Sequence, residues 1–500
     1  MKQFFKGLVQ PLLISVFFAF FLFSSNVGEA YFAEFLVVIS FIVCFVGLAL
    51  KFINLFFNNY TKSSIFLSTF LIVFCYLSPI LESIKQSYGG EKFFRARYFL
   101  IPCIIFLFLL FIKLKRSNKK QMSGFFSRFL ILPFLFLISL YVVKICISEY
   151  KINRLIDDYK KENNIFRKKY LSDCSLNKSV KPLPNIYFII LDCYASHDVM
   201  LKVFGYDNSD FLNKLKKLGF FIADKCYSNY PSTFCSIPAT LNMNYSNDKL
   251  WRNGSLSYGL SKYIIANNNV AWFLKNMGYK YYLNPSHWGL SQFSKNSDFD
   301  FGKGVNKYVN KLLIRATYLS GFTSIVLENT LIAPLWRKIQ NSMVVYRVKS
   351  QLEYLKSFSK EKGPFFIFSH IVCPHGPYLF NADGSPSNNR WWEDGIPSQA
   401  EFISREIYKV VEQILKDSYN PPIIILQADH ALGTDDLSTS GILNAWHLPD
   451  KKSKQLLYST ISPINNFRFI FDNYFGVNLG LLKDDYFVWK EGKGFAKITK

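Results

Sequence analysis

Five apolar stretches in the first 150 residues constrain the fold more than any other feature of the chain. They lie at 8–25, 33–57, 64–84, 97–114 and 127–148. Most of them reach the roughly 20 residues that a helix needs to cross a bilayer. The first follows two lysines like a signal peptide, but four more spans and the lack of a clear cleavage site argue against its removal. We therefore predict a bundle of about five transmembrane helices.

The charges between these stretches predict how the chain is oriented. With the N-terminus inside, the cytoplasmic segments hold ten Lys and Arg residues and the opposite loops hold four. Basic residues accumulate on the cytoplasmic side of membrane proteins. Five crossings then place everything after residue 150 outside the cytoplasm. We expect a multi-pass protein of the cytoplasmic (inner) membrane with an extracytoplasmic domain.

The net charge of +24 could suggest nucleic-acid binding, but its distribution does not. Residues 1–150 carry a net charge of +10 next to apolar spans, where basic residues are expected. The remaining excess is dispersed and has no nucleic-acid motif beside it. Membrane lipids are the predicted partners, and nucleic acid is not. A transporter is also disfavoured, because ionisable residues in the spans, such as Glu34 and Lys144, lie near their ends.

The rest of the chain alternates between short apolar runs and amphipathic segments. Runs at 186–191, 279–283, 365–371 and 423–427 are predicted strands, and segments at 210–218, 270–277, 340–360 and 398–417 are predicted helices. This alternation is typical of an α/β fold with a largely parallel sheet. The predicted domains are a transmembrane anchor (1–150), a juxtamembrane linker (151–181) and a catalytic domain (182–500).

Polar residues follow three of the predicted strands. Asp192 follows the first strand, His375 comes shortly after 365–371, and Asp429 and His430 follow 423–427. A lone Asp after a strand is more often a turn residue. In α/β sheets, however, ligands bind at the carboxyl ends of the strands. Three such coincidences at one sheet edge favour a functional site.

A fourth candidate is a polar loop, 229–232, that leads into a predicted helix through Asn242. Ser232 or Thr233 would ordinarily be a helix N-cap. A hydroxyl at this position also lies where backbone N–H groups favour an anion. A metal ion that coordinates the hydroxyl would lower its pKa and make it a nucleophile.

Nine cysteines form no CxxC motif, which argues against a zinc ribbon or a thioredoxin-like site. Four lie in the apolar spans. The other five are Cys174, Cys193, Cys226, Cys235 and Cys373. One disulfide among these five is possible outside the cytoplasm, and the sequence does not select a pair.

Together these segments resemble the membrane-anchored, sulfatase-like branch of the alkaline phosphatase superfamily. Lipoteichoic acid synthases and phosphoethanolamine transferases belong to that branch, and they too have five N-terminal spans. The matching segments are 184–192, Thr233-Phe234-Cys235-Ser236-Ile237-Pro238, His375-Gly376-Pro377-Tyr378 and Gln427-Ala428-Asp429-His430. The resemblance covers about residues 182–475 and implies an alkaline-phosphatase-like α/β sandwich.

The resemblance also implies a ligand set and roles. Asp192, Thr233, Asp429 and His430 would bind one divalent metal ion. Mn²⁺ or Zn²⁺ suits these donors better than Mg²⁺, because one donor is an imidazole. A second metal would need further ligands, for which His370 and His447 are available but lie in no matching motif. Thr233 would form a covalent intermediate, and His375 would bind the substrate oxyanion or protonate the leaving group.

Two departures from the branch modify what the resemblance implies. Cys193 stands where the branch commonly has Gly, and no Cys/Ser-x-Pro-x-Arg segment is present to convert Cys235 into formylglycine. The second departure weighs against a true sulfatase. The expected function is transfer or hydrolysis of phosphoryl or sulfuryl esters, with a phospholipid donor or a surface glycan or lipid acceptor. The alternatives are a sulfuric ester hydrolase, or an inert binding or assembly protein that keeps the fold.

Overall fold

The chain forms two compact units, which are described separately. The first comprises residues 1–151 and 318–340, and the second comprises residues 152–317 and 341–500. The structure is a computed structural model, and it describes these residues: 2–88, 96–117, 123–171, 183–245, 255–286, 289–292, 294, 296–298, 320–387, 391–432, 436–490 and 494–498.

Five helices in the first unit are long and apolar enough to cross a membrane, as predicted. Their bounds are Lys2–Ser25, Phe32–Phe57, Tyr60–Tyr88, Ala96–Arg116 and Ser123–Tyr170. The fifth continues well past the predicted end of its apolar stretch at residue 148, through much of the predicted linker. The remainder of that linker, including Cys174, lies outside the described residues.

The side chains on the outward faces of these helices are as apolar as the side chains that pack between the helices. Ile14 and Leu50 pack in a buried cluster between the first helices. On the outside, Phe41 is 69% exposed and Leu55 is 78% exposed. Exposed aromatic and aliphatic side chains at this density are unfavourable in water and suit a lipid environment.

Residues 320–340 group with these apolar helices, although the sequence placed them in the catalytic domain. They contain the helix Ser320–Glu328 and the start of the helix Ala333–Ser357. The division at residues 150 and 182 otherwise stays a prediction. Sequence pattern alone could not assign this segment, because its partners are more than 200 residues away in the chain.

The second unit is built on a six-stranded sheet with the order β2-β6-β5-β1-β4-β3. The strands are β1 (Ile186–Leu191), β2 (Phe221–Ile222), β3 (Lys280–Asn284), β4 (Phe365–Ile371), β5 (Ile423–Gln427) and β6 (Asn444–His447). β3, β4, β1 and β5 are parallel, and β6 and β2 extend the sheet in antiparallel fashion. The predicted, largely parallel α/β sheet is therefore confirmed.

The central strands are buried along their full length, which explains their continuous apolar runs. The bounds of β1, β4 and β5 agree with the prediction, and β3 is shifted by one residue. Helices cover the sheet, and they include His197–Phe204, Ser209–Lys217, Thr233–Asn242, Ser255–Ala266, Asn269–Asn276, Ala333–Ser357 and Trp392–Asp417. The last two begin six or seven residues earlier than predicted.

The register of the sheet brings the polar strand ends together. Ile190 of β1 is paired with His370 of β4 and with Gln427 of β5. Asp192 and Asp429 therefore emerge side by side at the carboxyl edge. Outside the sheet, a hairpin of β7 (Tyr486–Lys490) and β8 (Gly494–Ile498) is a further element that the sequence analysis did not foresee.

Candidate metal centre and nucleophile

Two buried carboxylates meet at the carboxyl edge of the sheet. Asp192 is 3% exposed and Asp429 is fully buried. Among the described residues, Asp192 Oδ1 and both carboxylate oxygens of Asp429 have no hydrogen-bond partner. Burying a carboxylate without a partner is costly unless a cation or a donor compensates it. These oxygens therefore fit a cation.

His430 contributes an imidazole nitrogen to the same point. Its Nδ1 lies 2.8 Å from the carbonyl oxygen of Ala431, to which an Nδ1–H group can donate. That hydrogen bond leaves Nε2 as the atom that faces the cluster. Nε2 lies 3.5 Å from Asp192 Oδ1 and 3.7 Å from Asp429 Oδ2. Two carboxylates and a neutral imidazole match the charge and the donor preferences of Mn²⁺ or Zn²⁺.

The electrostatics of the cluster call for positive charge. Burial and the neighbouring Asp192 raise the pKa of Asp429. Burial would also raise the pKa of Asp192, but His375, His370 and His430 bring it below its ordinary value. Burial would lower the pKa of His430, but Asp429, Cys193 and Asp192 raise it well above its usual range. The site thus draws in a proton or a metal cation to balance two negative groups.

Thr233 places its hydroxyl against this cluster. Oγ1 lies 3.1 Å from His430 Nε2, and the side chain is 7% exposed. Thr233 is the first residue of the helix Thr233–Asn242, and Ser232 precedes it with extended backbone. The hydroxyl therefore lies at the positive end of a helix dipole, where negative charge is stabilised.

The loop before Thr233 is held in place from several sides. The Asn229 amide donates to Ser462 Oγ at 3.0 Å and to the carbonyl oxygen of Asp485 at 2.9 Å. Its Oδ1 accepts from the N–H of Ile464 at 2.9 Å. The ring of Tyr230 stacks on Phe487 of β7 with centroids 5.0 Å apart. The loop 229–232 thus depends on residues more than 220 positions later in the chain.

His375 lies at the rim of the site. Its side chain is exposed, and its ring centroid is 6.3 Å from that of His430. Its backbone N–H donates to the carbonyl oxygen of Asp192 at 3.1 Å. The loop that carries His375 is therefore tied directly to a predicted metal ligand.

A single buried side chain, Gln399, fixes the other side of that loop. Its Nε2 donates to the carbonyl oxygens of Pro374 and His375 at 3.0 and 3.1 Å. Its Oε1 accepts from the N–H groups of Leu379 and Phe380 at 2.8 and 3.3 Å. Nothing in the sequence pattern identified this residue, because a buried Gln on an amphipathic helix has no distinctive spacing.

The structure thus brings together the five residues to which the sequence analysis gave roles, Asp192, Thr233, Asp429, His430 and His375. His370, which the sequence analysis named only as an available ligand for a second metal, lies within 4.8 Å of Asp192 and Asp429. His370 Nε2 is 3.2 Å from Asp192 Oδ2, and its Nδ1 is 2.7 Å from Ser291 Oγ. In the sequence, His370 is distinguished by the polar pair Ser369-His370 inside an otherwise apolar strand.

Other candidate residues lie elsewhere. His447 Nδ1 lies 2.9 Å from the carbonyl oxygen of Pro422, outside the cluster. Cys235 packs in a buried group with Tyr230 and Ile464, and burial raises the pKa of its thiol well above the usual range. No disulfide joins the cysteines within the described part of the chain.

Cys193 adopts a backbone conformation that favours glycine. Its φ is +68°, in the left-handed region. In this chain the thiol donates to the carbonyl oxygen of Ala431 at 3.0 Å. Cys193 thereby links the turn after β1 to the residue that orients His430.

Comparison with known proteins gives structural likenesses only. No family model and no curated protein match the chain. Among solved structures, it is similar to the periplasmic domain of phosphoethanolamine transferase EptC from Campylobacter jejuni, with 11% identity over 62% of this chain and 98% of that one (TM-score 0.35). A putative sulfatase from Bacteroides fragilis has 13% identity over 62% and 82% (TM-score 0.37).

A third likeness is to an alkaline phosphatase superfamily protein from Vibrio parahaemolyticus. Its identity is 13%, over 63% of this chain and 75% of that one, with a TM-score of 0.39.

Proposed function

We propose that the chain is a membrane-anchored, metal-dependent enzyme that transfers or hydrolyses phosphoryl esters through a covalent intermediate on Thr233. The observation that carries the proposal is the convergence of the Thr233 hydroxyl, His430 Nε2 and three unpartnered carboxylate oxygens on one buried point. A divalent cation held by Asp192, Thr233, Asp429 and His430 would lower the pKa of the hydroxyl and offset the charge that develops on the substrate.

The reaction has two balanced steps. Thr233 Oγ1 forms a bond to phosphorus as its proton passes to solvent water, and the bond from phosphorus to the leaving oxygen breaks. His375, exposed at the rim, gives a proton to that leaving oxygen. An acceptor hydroxyl or water then attacks phosphorus and gives its proton to His375, while the bond from phosphorus to Thr233 Oγ1 breaks and Oγ1 regains a proton from solvent water. The transferred group is accordingly held by the protein between two substrates.

Phosphoryl chemistry is favoured over sulfuryl chemistry by the nucleophile. Enzymatic formylglycine formation would require a cysteine or a serine at the position of the attacking group, where this chain has Thr233. Cys235 is buried away from the carboxylates with a raised thiol pKa, while the unmodified Thr233 hydroxyl faces them. The proposed substrates are phosphodiesters of a phospholipid donor, with a surface glycan or lipid as acceptor. The five apolar helices support a location in the cytoplasmic membrane with the catalytic domain outside.

The decisive experiment measures hydrolysis of an aryl phosphodiester and of an aryl sulfate by the purified full chain in detergent. We expect Thr233→Ala to abolish turnover and Thr233→Ser to retain part of it. Thr240→Ala is the matched control, because its hydroxyl lies on the same helix and only donates to the carbonyl oxygen of Ser236 at 3.0 Å.

Intact-mass analysis after incubation with phospholipids would identify the transferred group. We expect an adduct on Thr233 in the native chain and no adduct in the Thr233→Ala variant. Turnover that survives Thr233→Ala would refute the nucleophile assignment. A chain that binds no divalent metal and shows no turnover would instead indicate an inert member of the fold, and preference for the sulfate would indicate a sulfatase.

A further inference from the structure

The segment 320–340 is attached to the ends of the first two apolar helices. Phe322 is fully buried, and its ring packs edge-on against Phe23 and Phe35 with centroid distances of 5.3 and 5.7 Å. Phe23 lies near the end of the helix Lys2–Ser25, and Phe35 lies near the start of the helix Phe32–Phe57. Because those helices are long enough to cross a bilayer, their joined ends lie at the level of a membrane surface.

Main-chain hydrogen bonds fix the segment at both ends. The N–H of Phe322 donates to the Glu34 carboxylate at 2.7 Å. A Cβ on Gly321 would lie 2.9 Å from Glu34 Oε2, so this close approach favours glycine. Further along, the N–H of Leu331 donates to the carbonyl oxygen of Phe74 at 3.1 Å. The start of the helix Ala333–Ser357 is therefore held beside the apolar helices.

The opposite side of that helix start is an exposed apolar stripe. Ile332, Leu335 and Ile339 are 39%, 63% and 44% exposed. The spacing of four residues puts Leu335 and Ile339 on one face of the helix Ala333–Ser357, and Ile332 directly precedes that helix. Arg337 and Lys338 lie between them in the sequence and are exposed as well. A contiguous apolar stripe with adjacent basic side chains is the pattern of a helix that lies in a membrane interface.

We propose that residues 332–339 form an interfacial membrane contact. Ile332, Leu335 and Ile339 enter the boundary between headgroups and acyl chains, and Arg337 and Lys338 extend to lipid phosphates. Two observations select lipid as the occupant. The stripe belongs to a segment that groups with helices whose outward faces are apolar, and its neighbouring charges are positive, which complements a phosphate-bearing surface. This inference does not depend on the chemistry proposed for Thr233.

The test uses the full chain in lipid nanodiscs with an environment-sensitive fluorophore on a single cysteine. Leu335→Cys and Ile339→Cys report on the stripe. Lys216→Cys, on an exposed face of the helix Ser209–Lys217, is the control for a water-facing position. The background replaces by serine the exposed or half-buried Cys44, Cys103 and Cys146, and also Cys174, which lies outside the described residues.

Two quenchers then distinguish lipid from water and from protein. Nitroxide groups on the acyl chains should reduce emission at positions 335 and 339 about twofold or more, while aqueous iodide quenches mainly at position 216. If iodide quenches all three positions alike, the stripe faces water and the proposal is overturned. If neither quencher reaches positions 335 and 339, protein covers them, for example a second copy of the chain, and the proposal is overturned as well.

Discussion

Gln399→Leu tests whether one buried amide positions the loop that carries His375. The side chain is 1% exposed and makes four hydrogen bonds to backbone groups of that loop. Leucine has a similar volume but can neither donate nor accept. The substitution therefore removes the four bonds with little change in packing.

The expected cost follows from these four bonds. At about 1 kcal/mol per bond, the folded state loses about 4 kcal/mol if no group finds a new partner, and about 2 kcal/mol if the two carbonyls recover water. The carbonyl of His375 is well placed to do so, because that residue lies at the exposed rim. We also expect the loop to shift, and a displacement of about 1 Å at a catalytic group can reduce the rate by about 100-fold.

The assay compares two phosphodiesters that differ in their leaving group. A nitrophenolate leaves without a proton, whereas an alkoxide needs one from His375. We therefore expect Gln399→Leu to reduce kcat for the alkyl substrate by about 10-fold or more and to affect the nitrophenyl substrate much less. Thermal unfolding of the full chain in detergent measures the loss of stability in the same samples.

Gln413→Leu provides the matched control, because Gln413 lies on the same helix but is exposed and contacts only Asp417, at 3.4 Å. Gln413→Leu should change neither the midpoint of thermal unfolding nor the dependence of kcat on the leaving group. If Gln399→Leu lowers kcat equally for both leaving groups, the loop does not act through proton transfer by His375. If it changes neither rate nor stability, the positioning role is wrong.

Three further predictions concern the turn after β1, a buried histidine and the cation. Cys193→Gly should be tolerated, because glycine adopts a positive φ without strain, and Cys193→Val should lower the thermal midpoint, because a β-branched side chain fits the left-handed region worse than cysteine does; circular dichroism melts would decide this. Burial lowers the pKa of His447 in the folded chain. As the pH drops below about 6.5, His447 is therefore protonated in the unfolded chain before it is protonated in the folded chain, and the stability of the folded chain falls. His447→Gln should lessen that decline, and an equally steep pH profile for the variant would contradict the assignment. Chelation of divalent metal should lower the midpoint of the native chain, because two buried carboxylates are left facing each other. The shift should shrink in Asp429→Asn, and metal analysis of both proteins provides the check.

The sequence predicted the parts of this fold that local pattern determines. Strands buried on both faces must be continuously apolar, so β1, β4 and β5 could be located within a residue. The helices long enough to cross a membrane were evident for a similar reason. Asp192, Asp429 and His430 were identifiable because they directly follow such strands, and Thr233 was identified by its resemblance to a family motif.

The remaining features depend on contacts between distant parts of the chain. His370 is buried inside β4, and only the parallel pairing of β4 with β1 brings it to Asp192. Gln399 acquires its role from a loop about 20 residues earlier in the chain. The attachment of Phe322 to Phe23 spans some 300 residues. Such pairings leave no periodic trace in the sequence, which is why pattern analysis could not place His370 beside Asp192 and did not find the other two.

The contacts between the loop 229–232 and the β7–β8 region also bear on the order in which the chain folds during synthesis. Asn229 and Tyr230 are held by Asp485 and Phe487, which are translated more than 250 residues later. Because a chain is made from its N-terminus, the apolar helices and most of the sheet emerge before these partners exist. The loop before Thr233 therefore acquires these contacts only near the end of translation. Under the proposed function, a nascent chain would reach the membrane before the Thr233 hydroxyl is positioned for attack.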